Sequence, residues 1–374
     1  MINPIYEHTL MAGWVVLILL GVCLFFNRVP KKAVYMTYNR SRRLTAATMI
    51  VFGIQLLLHW IFFFRIHTPY IATALNLTGF HIEAILFSMS QISLLNNRYI
   101  RKRQLRRDAM FCALTILVAW PSAILMTGTA QLVTMIAAAA IFLGHAIYLA
   151  LVFFHTYRRA MHWIDNYYTE DIEAFVKWMF RSTIGFICYS LPGSMLAFCP
   201  QNHNTVYMMI IICLFTYIFI SFQNYAVNYI QVETAVVGSP ESDAIAEEEE
   251  VKEDIVEVDN ELQPLIDKWI ANGCYRKKGV TIDDLITLLH INRTYISHYI
   301  NGIYHCNFRE WITSLRMDYA KEQLLANPEF TIEQVAAKAG FSSSSYFCQQ
   351  FTKREQATPN VWRNRQLHGD EASA

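Results

Sequence analysis

The sequence predicts an all-α chain in two parts: a polytopic helical membrane domain of about seven transmembrane helices, followed by a cytoplasmic double helix-turn-helix domain. Three observations predict it. Apolar runs long enough to cross the roughly 30 Å hydrocarbon layer as helix recur through the first part of the chain. Basic residues crowd every second connection between those runs and are nearly absent from the others. Beyond an acidic stretch, two segments fifty residues apart repeat the pattern of a capped helix pair. The composition agrees, because 54% of residues are hydrophobic, 16% are charged and the mean hydropathy is +0.24. An average soluble domain carries about 25% charged residues, so a disordered, collagenous or ordinary soluble chain is excluded.

The net charge of +1 is a sum of unlike parts. Residues 1–230 carry +10, residues 231–261 carry −11, residues 262–368 carry +4 and the tail, 369–374, carries −2. Those boundaries are the expected domains: transmembrane domain, acidic disordered linker, DNA-binding domain and tail. The eight cysteines include no C-x-x-C pair, which speaks against a zinc cluster or a disulfide framework.

The apolar runs lie at 8–27, 44–64, 75–95, 109–127, 132–155, 182–198 and 206–228. The third holds Glu83, and the sixth is short and contains Pro192. Inner connections hold Arg28, Lys31, Lys32, Arg40, Arg42 and Arg43, then Arg98, Arg101, Lys102, Arg103, Arg106 and Arg107, then Arg158, Arg159, Lys177 and Arg181. The alternate connections hold Arg65 alone. This bias puts the N-terminus outside and the C-terminus in the cytoplasm. Glu7 and His8 stand where a cleaved leader would carry basic residues. Residues 160–181 place Ile164, Tyr168, Ile172, Phe175 and Met179 at helical spacing. Both an interfacial helix on the inner leaflet, with Glu173 and Lys177 paired on its wet side, and a helical extension of the sixth span fit that pattern.

From Gly238 to Glu261 the chain is Gly-Ser-Pro followed by acids, including Glu247 to Glu250. High charge with few aromatics cannot build a core, so a solvated spacer is expected. A sharper reading has these acids compete with nucleic acid for the basic domain that follows.

In that domain Thr281 to Asn292 leads into Arg293 to Ile300, and Thr331 to Ser342 leads into Ser343 to Phe351. Thr331 and Gln334 stand at capping-box spacing, and Thr281 with Asp284 is a shorter relative of that box. Asn292 and Ser342 are placed to cap the second helix of each pair. Gly340 supplies the left-handed residue of the second turn, where the first has His290. Between the pairs runs a long helix, capped by Asn307 and Glu310, stopped by Asn327-Pro328 and striped by Trp311, Leu315, Tyr319 and Leu324. A last helix starts at Thr358 with Pro359 in its first position. Ile296 with Ile300, and Phe347 with Phe351, bury one face of each second helix. The opposite faces carry Arg293, Thr294, Ser297, His298 and Asn301 on the first, and Ser343, Ser344, Gln349, Gln350 and Lys353 on the second.

These residues resemble the DNA-binding domain of the AraC/XylS family of bacterial transcription regulators, over about 262–368. The resemblance is carried by Gly340 to Phe351, Thr358-Pro359 and Trp362-Arg363, supported by Asn292 to Ser297 and Asn307 to Ile312. It implies an all-α domain that sets two recognition helices in successive major grooves of double-stranded DNA, whose repeat is about 34 Å. The family usually has arginine at the positions of His298 and Gln349, so base readout differs here, with adenine favoured at Gln349. Where the family has glycine before Thr-Pro this chain has Gln356, which either avoids a left-handed cap or carries strain. A charge of only +4 implies few phosphate contacts and points to a homodimer on DNA.

Within the membrane part, ionisable residues are functional candidates by default. Glu83, expected in the outer third of its span, is grouped with His59 and Gln55 in a polar pocket open to the outside that detects a small-molecule or peptide signal. A structural hydrogen-bonded pair between helices is the alternative. His145 and His155 read as helix contacts, and Pro121 and Pro192 as kinks near the pocket. No G-x-S-x-G, Gly-rich phosphate loop or H-E-x-x-H occurs, so no enzyme, metal or cofactor is expected. The function these features predict is a membrane-embedded, signal-responsive regulator whose partners are DNA and membrane lipid. A transporter-like protein that regulates its own gene and a passively tethered transcription factor stay open beside it.

Overall fold

The computed structural model describes residues 4–29, 35–167, 172–193, 201–237, 255–289, 291 and 293–368, and these form helices and no sheet. The chain divides into two compact units, Met1–Ala160 with Phe175–Val237, and Met161–Ala174 with Gly238–Ala374.

The helices of the first unit are α1 (Pro4–Phe26), α2 (Met36–Phe62), the short α3 (Phe64–His67), α4 (Pro69–Leu95), α5 (Lys102–Leu125), α6 (Gly128–Tyr167), α7 (Ile172–Gly193) and α8 (Gln201–Val237), except that the end of α6 and the start of α7, within Met161–Ala174, count with the second unit. Among the described residues, six helices are long and apolar enough to cross a membrane: α1, α2, α4, α5, α6 and α8. The expected span at 182–198 falls on α7, which is not among the six, and residues 194–198 of that span lie outside the described ones. The helices begin earlier than the apolar runs. α2 starts at Met36 and α5 at Lys102, because Arg, Lys and Gln are good helix formers and prolong an apolar helix into a polar one. Of residues 160–181, 160–167 are the end of α6 and Ile172 to Arg181 are the start of α7, while 168–171 lie outside the described residues.

Leu10, Leu17 and Leu24 of α1 and Met49, Phe52 and Leu56 of α2 are fully buried. The two helices approach closely at Gly53, where a β-carbon would lie 2.6 Å from Ile18 Cγ1. Arg42 is buried and its Nη1 donates to the carbonyls of Leu24 and Asn27, both at 2.6 Å. It thereby satisfies carbonyls at and just past the end of α1, where the helix dipole also favours a cation.

The second unit contains α9 (Ile255–Ala271), a 3-10 turn (Cys274–Arg276), α10 (Ile282–Leu289), α11 (Arg293–Tyr304), α12 (Phe308–Ala326), α13 (Ile332–Lys338), α14 (Ser344–Glu355) and α15 (Pro359–His368). Both ends of the expected linker are helical, since α8 runs to Val237 and α9 starts at Ile255; residues 238–254 lie outside the described ones.

Two hydrophobic cores are strung on α12. One gathers Leu262, Ile266, Trp269, Ile282, Leu285, Ile296, Ile300 and Trp311, with Trp269 and Trp311 stacked at 5.8 Å. The other gathers Met317, Leu324, Val335, Ala339, Phe341, Phe347 and Phe351, with Trp362 of α15 edge-on to Phe351 at 5.5 Å. Local chemistry fixes the helix starts. Asn307 with Glu310 and Thr331 with Gln334 form complete capping boxes. Asp284 supplies half of one, its Oδ2 accepting from Thr281 N–H at 2.8 Å. Burial works against the Asp284 charge, but Lys277 and Thr281 hold its carboxyl below its ordinary range. The cap of α14 is Ser343, whose Oγ accepts from Tyr346 N–H at 3.1 Å, and not Ser342. Asn292 and His290 lie outside the described residues.

Gln356 adopts φ 54° and ψ 21°, the left-handed conformation, and its Nε2 donates to Lys353 O at 3.0 Å. An L side chain there costs about 1–2 kcal/mol, which glycine escapes. Gln356→Gly is therefore expected to stabilise the domain by about 1 kcal/mol in urea unfolding followed by circular dichroism. An unchanged or lowered midpoint would mean that the Gln356–Lys353 bond outweighs the strain.

Candidate nucleic-acid interface

Each helix pair sets its second helix across the first, and the apolar faces close on the core beneath. In the second pair the turn has the geometry of a Schellman motif: Phe341 N–H donates to Ala336 O at 3.0 Å and Gly340 N–H to Ala337 O at 3.1 Å. Gly340 sits at φ 87°. Arg309, in the first turn of α12, donates from Nη2 to Tyr346 OH at 3.2 Å and lies 5.6 Å from that ring, anchoring the start of α14. Arg316, 3% exposed, donates from Nε to Tyr275 O at 2.8 Å and from Nη2 to Lys277 O at 2.7 Å. It pins the turn before α10 against α12, with its guanidinium 6.0 Å from the Phe341 ring. Sequence reading missed Arg309 and Arg316, because nothing local distinguishes a buried arginine from an exposed one.

The outward faces carry most of the expected residues. His298 and Asn301 on α11 and Gln349 and Lys353 on α14 are exposed, as is Ser343 at its cap, while Ser344 and Gln350 are half-buried. Ser297 departs from expectation, being 9% exposed. It stands one residue after Ile296 and three before Ile300, beside the buried stripe, so the helix turns it inward. Ser343 Oγ is engaged as the cap acceptor. The side chains of Arg293 and Thr294 lie outside the described ones. Arg363, whose Nη1 donates to Pro328 O at 3.0 Å and Phe330 O at 2.8 Å, ties α15 to the loop before α13 and is not an outward contact.

The membrane-side candidates divide into two clusters. Gln55 Nε2 donates to Asn76 Oδ1 at 3.0 Å, and His59 Nε2 meets the same oxygen at 2.8 Å. Glu83 lies midway along α4, which begins at Pro69. It is fully buried, and its Oε2 accepts from Tyr189 OH of α7 at 2.6 Å while Oε1 has no partner. Glu83 and His59 therefore have different partners, and the residues of both clusters are buried. Asn76 and Tyr189 were not foreseen. A signal existed for the first: Asn76, Glu83 and Ser90 recur every seven residues along α4. The Ser41–Ser93 and Thr45–Ser90 contacts, both 2.7 Å, continue the same polar seam between α2 and α4. Among the described residues, no group of three or more His, Cys, Asp or Glu is placed to hold a metal ion.

Residues 285–365 match the family model of a helix-turn-helix domain. The chain is 30% identical over 82 residues to the regulatory protein PocR of Salmonella typhimurium, covering 22% of this chain and 27% of that one. It is 43% identical over 65 residues to the HTH-type transcriptional regulator ExsA of Pseudomonas aeruginosa, covering 17% and 22%. It is 43% identical over 61 residues to the virulence regulon transcriptional activator VirF of Yersinia enterocolitica, covering 16% and 22%. The chain thus spans less than a third of the length of these curated relatives. No solved structure matches it.

Proposed function

We propose, from an AraC-type helix-turn-helix domain joined in one chain to six long apolar helices, that this protein is a transcription regulator held in the cytoplasmic membrane. The observation that carries the reading is that single linkage. A domain that reads DNA and helices that suit lipid share one polypeptide, and the bias of basic residues puts both the inner loops and the C-terminus in the cytoplasm. α11 and α14 enter successive major grooves, with His298, Asn301, Gln349 and Lys353 facing the DNA and Arg293 and Thr294 expected beside them. The mild charge of the domain makes a homodimer the binding species. The first unit senses a signal and biases the domain between competent and incompetent arrangements, which requires the signal to bind the two with different affinity. The buried clusters around Asn76 and Glu83 are its polar interior.

Gln349 gives the reading a sharp test. A glutamine amide bonds adenine in bidentate fashion, whereas arginine prefers guanine, each worth about 1–3 kcal/mol of discrimination. Selection from a random DNA library by the full-length protein in lipid nanodiscs should return a site with adenine at one position per half-site. Gln349→Arg should change that base to guanine and leave the rest of the site alone. Recovery of no preferred site, or of one indifferent to Gln349→Arg, contradicts the proposed readout.

A further inference from the structure

Three helices of the first unit bury a continuous run of polar groups apart from the Asn76 and Glu83 clusters. His81 of α4, His145 of α6, and Asp108 and Thr115 of α5 are at most 2% exposed. His81 Nδ1 lies 3.0 Å from Thr115 Oγ1, His81 Nε2 lies 2.8 Å from His145 Nδ1, and His145 Nε2 lies 3.3 Å from Asp108 Oδ1. Thr115 Oγ1 has a second acceptor in reach, Phe111 O at 3.2 Å. Asp108 Oδ1 also accepts from Arg107, from Nε at 3.1 Å and from Nη2 at 2.9 Å.

The hydrogens on this chain can be counted. A neutral imidazole offers one N–H and one lone pair, and a hydroxyl offers one hydrogen. Let the Thr115 hydroxyl donate to His81 Nδ1. His81 then donates from Nε2 to His145 Nδ1, and His145 donates from Nε2 to Asp108. Every contact is satisfied with both rings neutral. Now add one proton from water. His145 carries N–H on both nitrogens, donating to Asp108 and to His81 Nε2. His81 carries its N–H on Nδ1 and donates to Thr115 Oγ1, whose hydrogen turns to Phe111 O. Again every contact is satisfied. The two arrangements differ by one proton, by the nitrogen of His81 that carries hydrogen and by the rotation of one hydroxyl. No electron moves and no heavy-atom contact is lost.

We propose that the Thr115–His81–His145–Asp108 chain is a proton-binding site of the membrane unit, a switch with two states one proton apart that each keep every contact along it. The groups that face it are few. α4 contributes His81 itself; α5 contributes Asp108, Arg107 and Thr115, and the Phe111 ring stacked on His145 at 4.7 Å. α6 contributes His145 and Tyr148, whose hydroxyl accepts from Arg107 Nη1 at 2.5 Å, and Tyr99, before α5, faces Arg107 and Asp108. Arg107 is 32% exposed and gives the chain its contact with solvent. The added charge sits between α5 and α6, against a carboxylate whose other counter-charge is one arginine, so uptake of the proton tightens that helix pair. The proposal deepens the sensor reading, and rests on it, only in naming the proton as a signal.

Nitrogen NMR of the full-length protein, labelled at its twelve histidines and held in lipid nanodiscs, tests the site directly. As the pH is lowered through the range in which the protein stays folded, His145 should gain its second N–H while His81 moves its hydrogen from Nε2 to Nδ1 at the same midpoint. His81→Gln and His145→Gln assign the two signals. Thr115→Val, which removes the hydroxyl that serves both states, should abolish the His81 change. A His81 ring that keeps one tautomer throughout, or two rings that titrate independently, overturns the proposal. A reporter gene read over the same pH range separates the two levels. A tautomer change with constant output upholds the proton site and contradicts sensing through it; absence of the change removes the site whatever the reporter does.

Discussion

Gly340→Val is expected to lower the stability of the C-terminal domain by about 3 kcal/mol and to abolish specific DNA binding by the full-length protein. Two independent effects add. At φ 87° any L residue is strained, by roughly 1–2 kcal/mol. In addition, a β-carbon on Gly340 would lie 2.7 Å from the carbonyl carbon and 2.9 Å from the Cα of Arg276. Those atoms are backbone and cannot swing aside as a side-chain tip can. They belong to the turn that Arg316 clamps, so the second helix pair has to shift against the first. α14 then loses its placement relative to α11, and two recognition helices that no longer match the groove repeat cannot both engage. Urea unfolding and binding to the selected site measure the two effects; a folded variant with native affinity would show that the turn does not set recognition-helix geometry.

Arg316→Met carries the second large effect, a loss of about 3 kcal/mol in the same unfolding experiment. Methionine replaces the aliphatic stem but leaves the carbonyls of Tyr275 and Lys277 without their charge-assisted donor. Arg316→Lys should recover little, because one ammonium cannot reproduce two parallel N–H donors from a planar fork. A wild-type midpoint in Arg316→Met would mean that water replaces the guanidinium at no cost, and that the two cores are held together by apolar contact alone.

What could be read from the sequence was what depends on neighbours in the chain. The capping boxes at Asn307 and Thr331 follow from residues three apart, and the left-handed turn at Gly340 from a single residue type. The all-α class and the apolar helices follow from composition and run length. The errors came where two local solutions are chemically alike or where a partner lies on another helix. Four consecutive serines, Ser342 to Ser345, offer several caps, and the chain uses Ser343. Ser297 is buried by its angle on α11, a few tens of degrees from the apolar stripe. The acidic segment hid the helix Ile255–Ala271, since net charge and amphipathic spacing are different quantities. Glu83 was singled out correctly as buried, but its partner Tyr189 lies 106 residues away and depends on the register of α4 against α7. Asp108 escaped notice because it follows Arg107 at the polar start of α5, where a solvated carboxylate is the ordinary expectation.

A regulator proposed to sit in the membrane and to bind chosen sites on DNA can be tested for both at once. Cells expressing the full-length protein can be cross-linked, their membranes washed at alkaline pH to strip peripheral proteins, and the DNA held by the protein in the washed membranes sequenced. A small set of discrete promoter sites that share one motif and vanish in Gly340→Val is the expected result. Protein found only in the wash, or membrane-bound protein with no DNA enriched above that of cells lacking it, would contradict membrane-held regulation.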